Sequence, residues 1–157
     1  MIERIEDVII ETLCRFLVPF MQLFALYVVA HGHYSPGGGF QGGCIMGASF
    51  ILICVAYDIE EAKRRMTENL NTIFCSVGVI LFAGTGLVSI ALGGNYLDYS
   101  FLHKIIPVDP VSVRSHGILI IEIGVGFTVM AVMISIFLNV ASKGKHEDEL
   151  KQDGIHY

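Results

Sequence analysis

Glu122 occupies the most unusual setting for an ionisable side chain in this sequence. Ile118, Leu119, Ile120 and Ile121 precede it and Ile123 follows it. If hydrocarbon surrounds that run, a charged, unpartnered carboxylate there costs on the order of 2.5–3.5 kcal/mol. The group must therefore be protonated, paired or hydrated. Two roles meet that demand. One is a station in a proton or cation relay. The other is a neutral acid hydrogen-bonded to a neighbouring helix. The residue types alone leave both open.

Histidines supply the second kind of chemistry. His31, His33, His103 and His116 fall in or beside polar connecting stretches. Imidazole changes charge between about pH 5 and 8, which suits proton handling. His31-x-His33 also carries donors for a metal, but no third ligand lies close in sequence. Cys14, Cys44, Cys54 and Cys75 sit in or at the edge of apolar stretches without a C-x-x-C, so they read as small hydrophobes. Neither a metal nor another cofactor is expected. Glu11 and Arg15 stand one helical turn apart and can pair along one helix. Gln22 is placed to hydrogen-bond a neighbouring helix, and Asp58 to mark a membrane interface.

The elements that position these groups follow from composition. The 157 residues are 54% hydrophobic and 16% charged, against roughly 25% charged in an average soluble domain. A water-soluble fold needs more polar surface than that; a bilayer does not. The net charge of −5 and the lack of a basic stripe exclude nucleic acid as a partner. Four runs approach the ~20 apolar residues needed to span: Val8 to Ala30, Gly43 to Asp58, Leu70 to Leu92, and Gly117 to Val140. The second reaches full length only if it begins inside the glycine-rich stretch before it and extends a little past Asp58. The acidic start at Ile2–Asp7 is unlike a signal peptide, so the first helix is expected to remain in the mature protein.

The expected fold is thus all-α, integral to the membrane, with about four transmembrane helices. Residues 1–142 form the transmembrane domain and 143–157 a short charged tail. Arg4, Lys63, Arg64, Arg65, Lys143, Lys145 and Lys151 fall on one side, and only Lys104 and Arg114 on the other. This bias places both termini in the cytoplasm and the His31–Gly42 loop outside. Gly39, Gly43 and Gly47 recur every fourth residue, a spacing that lets two helix backbones approach closely. Gly78, Gly84, Gly86, Gly124 and Gly126 add more small faces. They serve packing among the four helices, and their number makes a neighbouring subunit plausible. Pro36 with Gly37, Gly38 and Gly39 points to a non-helical tight connector.

The stretch G-H-x-x-P-G-G-G-F-Q-G-G is the most distinctive in the chain. It runs through Gly32, His33, Pro36, Gly37, Gly38, Gly39, Phe40, Gln41, Gly42 and Gly43. It resembles the signature of the MnhB/MrpB family, the B subunit of multisubunit Mrp-type sodium/proton antiporters. Relatives serve in archaeal membrane-bound hydrogenases and sulfane reductases. The resemblance implies a small accessory subunit of the plasma membrane with no catalytic centre of its own. Its implied partners are the other small antiporter-type subunits and a large antiporter subunit, and the ions moved are Na+ and H+. On this reading Glu122, with His116, His33 or His31, lines an ion path. The alternative is a subunit that seals and assembles the membrane arm without carrying ions.

Overall fold

The computed structural model describes residues 8–32, 37–57, 59–98 and 110–152. The expectations for His33, Pro36, Asp58, His103 and Lys104, and for the charged N-terminal residues, lie outside the described residues. Every regular element among the described residues is helical: α1 (Val8–Ala30), α2 (Gly39–Ala56), α3 (Ile59–Arg65), α4 (Glu68–Ala91) and α5 (Pro110–Gln152). Four are long and apolar enough to cross a membrane, the span within α5 being Ser112–Ala141.

Several boundaries differ from expectation: α2 ends at Ala56 and does not extend past Asp58, α5 runs on to Gln152 beyond Val140, and three further differences have a physical reason. α2 begins at Gly39, so Gly39, Phe40, Gln41 and Gly42 are helical and not part of the connector. Glycine weakens an exposed helix by about 1 kcal/mol, but close backbone packing compensates where helices pack in a membrane. α5 begins at Pro110 and not Gly117, because proline at the first helical position loses no hydrogen bond it would otherwise make. The expected Ile59–Asn69 connector contains α3, whose Ala62 is buried, as is Met66 just past its end. Lys63, Arg64 and Arg65 on the same element remain exposed.

α4 ends in a well-formed cap. Gly93 has a φ of +89°, a left-handed conformation that glycine enters without penalty. Its N–H donates to Ile90 O at 2.9 Å, and Gly94 N–H donates to Ser89 O at 3.0 Å. Those two bonds form a Schellman motif, which satisfies carbonyls a helix end would otherwise leave open.

The spanning helices form a row. α1 packs on α2, α2 on α5, and α5 on α4, while α1 barely touches α5. Tyr57 at the end of α2 bonds Glu11 near the start of α1, so these two helices run antiparallel. Asn71 early in α4 bonds Ala131 late in the α5 span, so this pair is antiparallel too. α2 and α5 run parallel in the middle. Burial follows: the α2 span is the most enclosed, and α1 and α4 at the flanks are the least.

The two ends of the row are packed differently. Near α3, side chains make the core: Val18, Ile53, Cys54 and Ala62 form one cluster, and Met66, Met130 and Ile134 another. At the opposite end, backbone meets backbone, and Glu122 lies there.

Candidate functional site

The α1–α2 turn closes over Glu122. A Cβ placed on Gly32, just after α1, would overlap the Glu122 carboxylate, and so would one on Gly38, just before α2. A Cβ on Gly39 would overlap the Glu122 backbone. Three glycines of the motif are therefore glycines because this acid and its helix occupy the space a side chain would need. Glu122 is half-buried, and its Oε2 atom is shut off from solvent. It is the thirteenth residue of α5 and lies level with the first residue of α2.

That position has an electrostatic consequence. Gly38 precedes α2 without a side-chain cap, and the first intrahelical bond there is Gly42 N–H to Gly38 O at 3.0 Å. The first-turn N–H groups of a helix carry partial positive charge, worth typically 0.3–1 kcal/mol to a nearby anion. The carboxylate sits beside that end of α2, which offsets part of the cost of charge at this depth.

Below the acid the glycine series continues into a seam. A Cβ on Gly43 would lie 2.6 Å from Gly126 O, and one on Gly47 would lie 3.3 Å from Met133 Cβ. Positions 39, 43 and 47 of α2 thus step down beside 122, 126 and 130 of α5, four residues at a time on each. The α4–α5 contact is tight in the same way: a Cβ on Gly124 would lie 2.9 Å from Gly78 O. Thr128 Oγ1 donates to Gly124 O at 3.0 Å within α5. Gly86 is close-packed for another reason, since the Tyr96 ring covers it; Gly84 has open space around it and does not join the packing expected of it.

The other singled-out residues take separate places. His31 is exposed, with Nδ1 donating to Tyr27 O at 3.1 Å and its ring 4.2 Å from that of Tyr27. It adjoins Gly32, at the edge of the turn. His116 is also exposed, its Nδ1 donating to Ser112 O at 2.6 Å. It lies six residues before Glu122, about 9 Å along the helix axis, and is bound to its own helix. Gln41 folds back over Gly37, where its Oε1 fills the space of a Cβ, while Phe40 is exposed. Glu11 and Arg15 do not pair with each other; the ion pair that forms among the described side chains is Lys63 Nζ to Glu68 Oε1, 3.0 Å. Arg15 and Gln22 instead border a cavity between α1, α2 and α3.

Two polar residues escaped the sequence reading. Asn71 is 6% exposed and donates through Nδ2 to Ala131 O at 3.0 Å and to Ser135 Oγ at 2.7 Å. Its position at the start of an apolar run was the available signal. Tyr57 Oη donates to Glu11 O at 2.9 Å, and the Arg65 guanidinium lies 5.8 Å from the Tyr57 ring centre. A tyrosine at a helix end carries no signal of its own.

A family profile described as a domain related to the MnhB subunit of Na+/H+ antiporters matches residues 9–135. Among similar proteins is the mnhB2 antiporter subunit, so named, of Staphylococcus haemolyticus (strain JCSC1435). It is 32% identical over 137 residues, covering 85% of this chain and 93% of that protein. Its namesake from Staphylococcus aureus (strain Newman) is 27% identical over 136 residues, covering 87% and 95%.

Proposed function

The chain belongs to the MnhB family of Na+/H+ antiporter subunits, and from that premise we propose that it helps conduct the ion through Glu122. It is a multi-pass subunit of the plasma membrane. Its partners in this reading are the other small antiporter-type subunits and a large antiporter subunit. The reading is the same for a free-standing Mrp antiporter and for a membrane-bound hydrogenase that carries a Mrp-like module. In either, the exchanged ions are Na+ and H+.

The observation that carries this reading is the turn closed over Glu122 by Gly32, Gly38 and Gly39. A carboxylate needed only for packing could be replaced by an amide in the same volume. A carboxylate held beside backbone at the end of α2 can take up a proton or meet a cation with little rearrangement. His31 and His116 stand outside that turn as exposed groups.

Glu122→Gln tests it. The expected result is loss of sodium-dependent proton exchange in everted membrane vesicles, with the complex still purified intact. Exchange at the unaltered rate would overturn the reading in favour of the sealing role, which the glycine seam between α2 and α5 also suits. With four spans the two ends of the chain would share a side, and we assign that side to the cytoplasm from the excess of Lys and Arg there.

A further inference from the structure

A second polar site lies at the other end of the molecule, away from Glu122. α1, α2 and α3 enclose a cavity of about 320 Å³, within the roughly 300–1,000 Å³ range of small-ligand clefts. Arg15 comes to it from α1, Tyr57 from the end of α2, and Arg65 from the end of α3. Gln22 borders it seven residues beyond Arg15, about 10 Å deeper along α1. Val18 and Ile53, both buried, form its apolar wall.

We propose that this cavity binds a phosphate-bearing anion, seated between Arg15 and Arg65. Three features of the site point the same way. Guanidinium groups match phosphate oxygens in bidentate geometry, and two of them reach one cavity from different helices. Arg15 does not take the carboxylate nearest to it in sequence: Glu11 gives its backbone carbonyl to Tyr57, and no Glu11–Arg15 ion pair closes. The depth is that of a headgroup, because α1 begins and α2 ends here while α3 turns its basic last turn outward.

The site also has the polarity gradient of a phospholipid. Its mouth carries charge, and Val18, Phe50 and Ile53 give it an apolar wall. Basic pockets between transmembrane helices bind anionic headgroups on these terms. A free phosphate would use the same two arginines without the wall.

The test uses the full chain in zwitterionic detergent, read by native mass spectrometry. Phosphatidylglycerol, phosphatidylcholine and inorganic phosphate are added in turn. Phosphatidylglycerol is expected to remain bound to the unaltered protein. Its affinity should fall about tenfold in Arg15→Gln and in Arg65→Gln, the loss of one charged hydrogen-bond partner. Arg15→Lys, which keeps the charge and loses the fork, should fall between, and serves as the folding control with its melting temperature. Retention of phosphatidylglycerol but not phosphate assigns the headgroup as the source. Displacement of the lipid by millimolar phosphate assigns free phosphate and supports the same chemistry. Equal retention in Arg15→Gln with Arg65→Gln overturns the proposal. So does unchanged lipid with loss of partner subunits from the purified complex, which would give the arginines to a subunit contact.

Discussion

At the residue scale, one acid and three glycines define each other. Glu122 stands where insertion costs on the order of 2.5–3.5 kcal/mol for a bare charge, and the glycines remove the side chains that would displace it. Each half was legible in the sequence: the acid from its isoleucine neighbours, the glycines from their motif. Their contact was not, because Gly32 and Glu122 are 90 positions apart and neither spacing nor composition encodes such a pairing. Asn71 was overlooked for a similar reason. Its worth depends on Ala131 and Ser135, two acceptors on another helix. Its Nδ2 bonds stabilise the α4–α5 contact, while its Oδ1 finds no partner among the described residues, which subtracts from the gain. Polar contacts of this kind between membrane helices average about 0.6 kcal/mol, reaching about 1.7. Asn71→Ala should therefore lower stability by about 1 kcal/mol. Thermal unfolding in detergent would register it as a reduced midpoint with the helix content unchanged, and an unshifted midpoint would deny Asn71 that role.

At the element scale, the four spans could be read from hydropathy, since burial in lipid demands long apolar runs. Helix ends could not. Glycine and proline mark ends where water competes for the backbone; here α2 starts on Gly39 and α5 on Pro110 because packing and position remove that competition. α3 went unread because seven residues are too few to show a period. The glycines also differ among themselves in ways spacing does not reveal. Gly43 faces the Gly126 carbonyl at backbone distance, whereas Gly84 has nothing within 4 Å. Gly43→Val should push α2 and α5 apart and prevent recovery of the assembled complex. Gly84→Ala should leave assembly and exchange at their ordinary levels. Blue-native electrophoresis of membranes carrying either variant separates the two cases, and equal loss from both would mean that glycine content, not the seam, sets assembly.

At the scale of the whole molecule, the row α1–α2–α5–α4 leaves broad apolar faces that no described part of this chain covers. Phe16, Phe20, Leu23 and Phe24 on α1, and Ile73, Val79 and Ile80 on α4, are exposed. A closed bundle would bring α1 and α4 together and hide one face of each; a row cannot. Such a shape suits a subunit wedged between others, because lipid or protein can occupy either side without repacking the centre. One groove shows the geometry: about 440 Å³ between the flanking helices, with Gly43 and Gly126 in its floor and Leu26 and Phe74 on its banks. Cysteine cross-linking distinguishes row from bundle. With the four native cysteines replaced by serine, Gly47→Cys with Met133→Cys should oxidise to a disulfide, since a Cβ at position 47 lies 3.3 Å from Met133 Cβ and a small outward shift brings the pair into the roughly 3.5–4.5 Å that bridges need. Phe20→Cys with Ile73→Cys stand on the exposed flanks of α1 and α4, at similar depth by the contacts that run α1 to α2, α2 to α5 and α5 to α4. That pair should stay reduced within one chain. A bridge between 20 and 73 of the same chain would show the row folding into a bundle and would remove the open faces on which the partner argument depends.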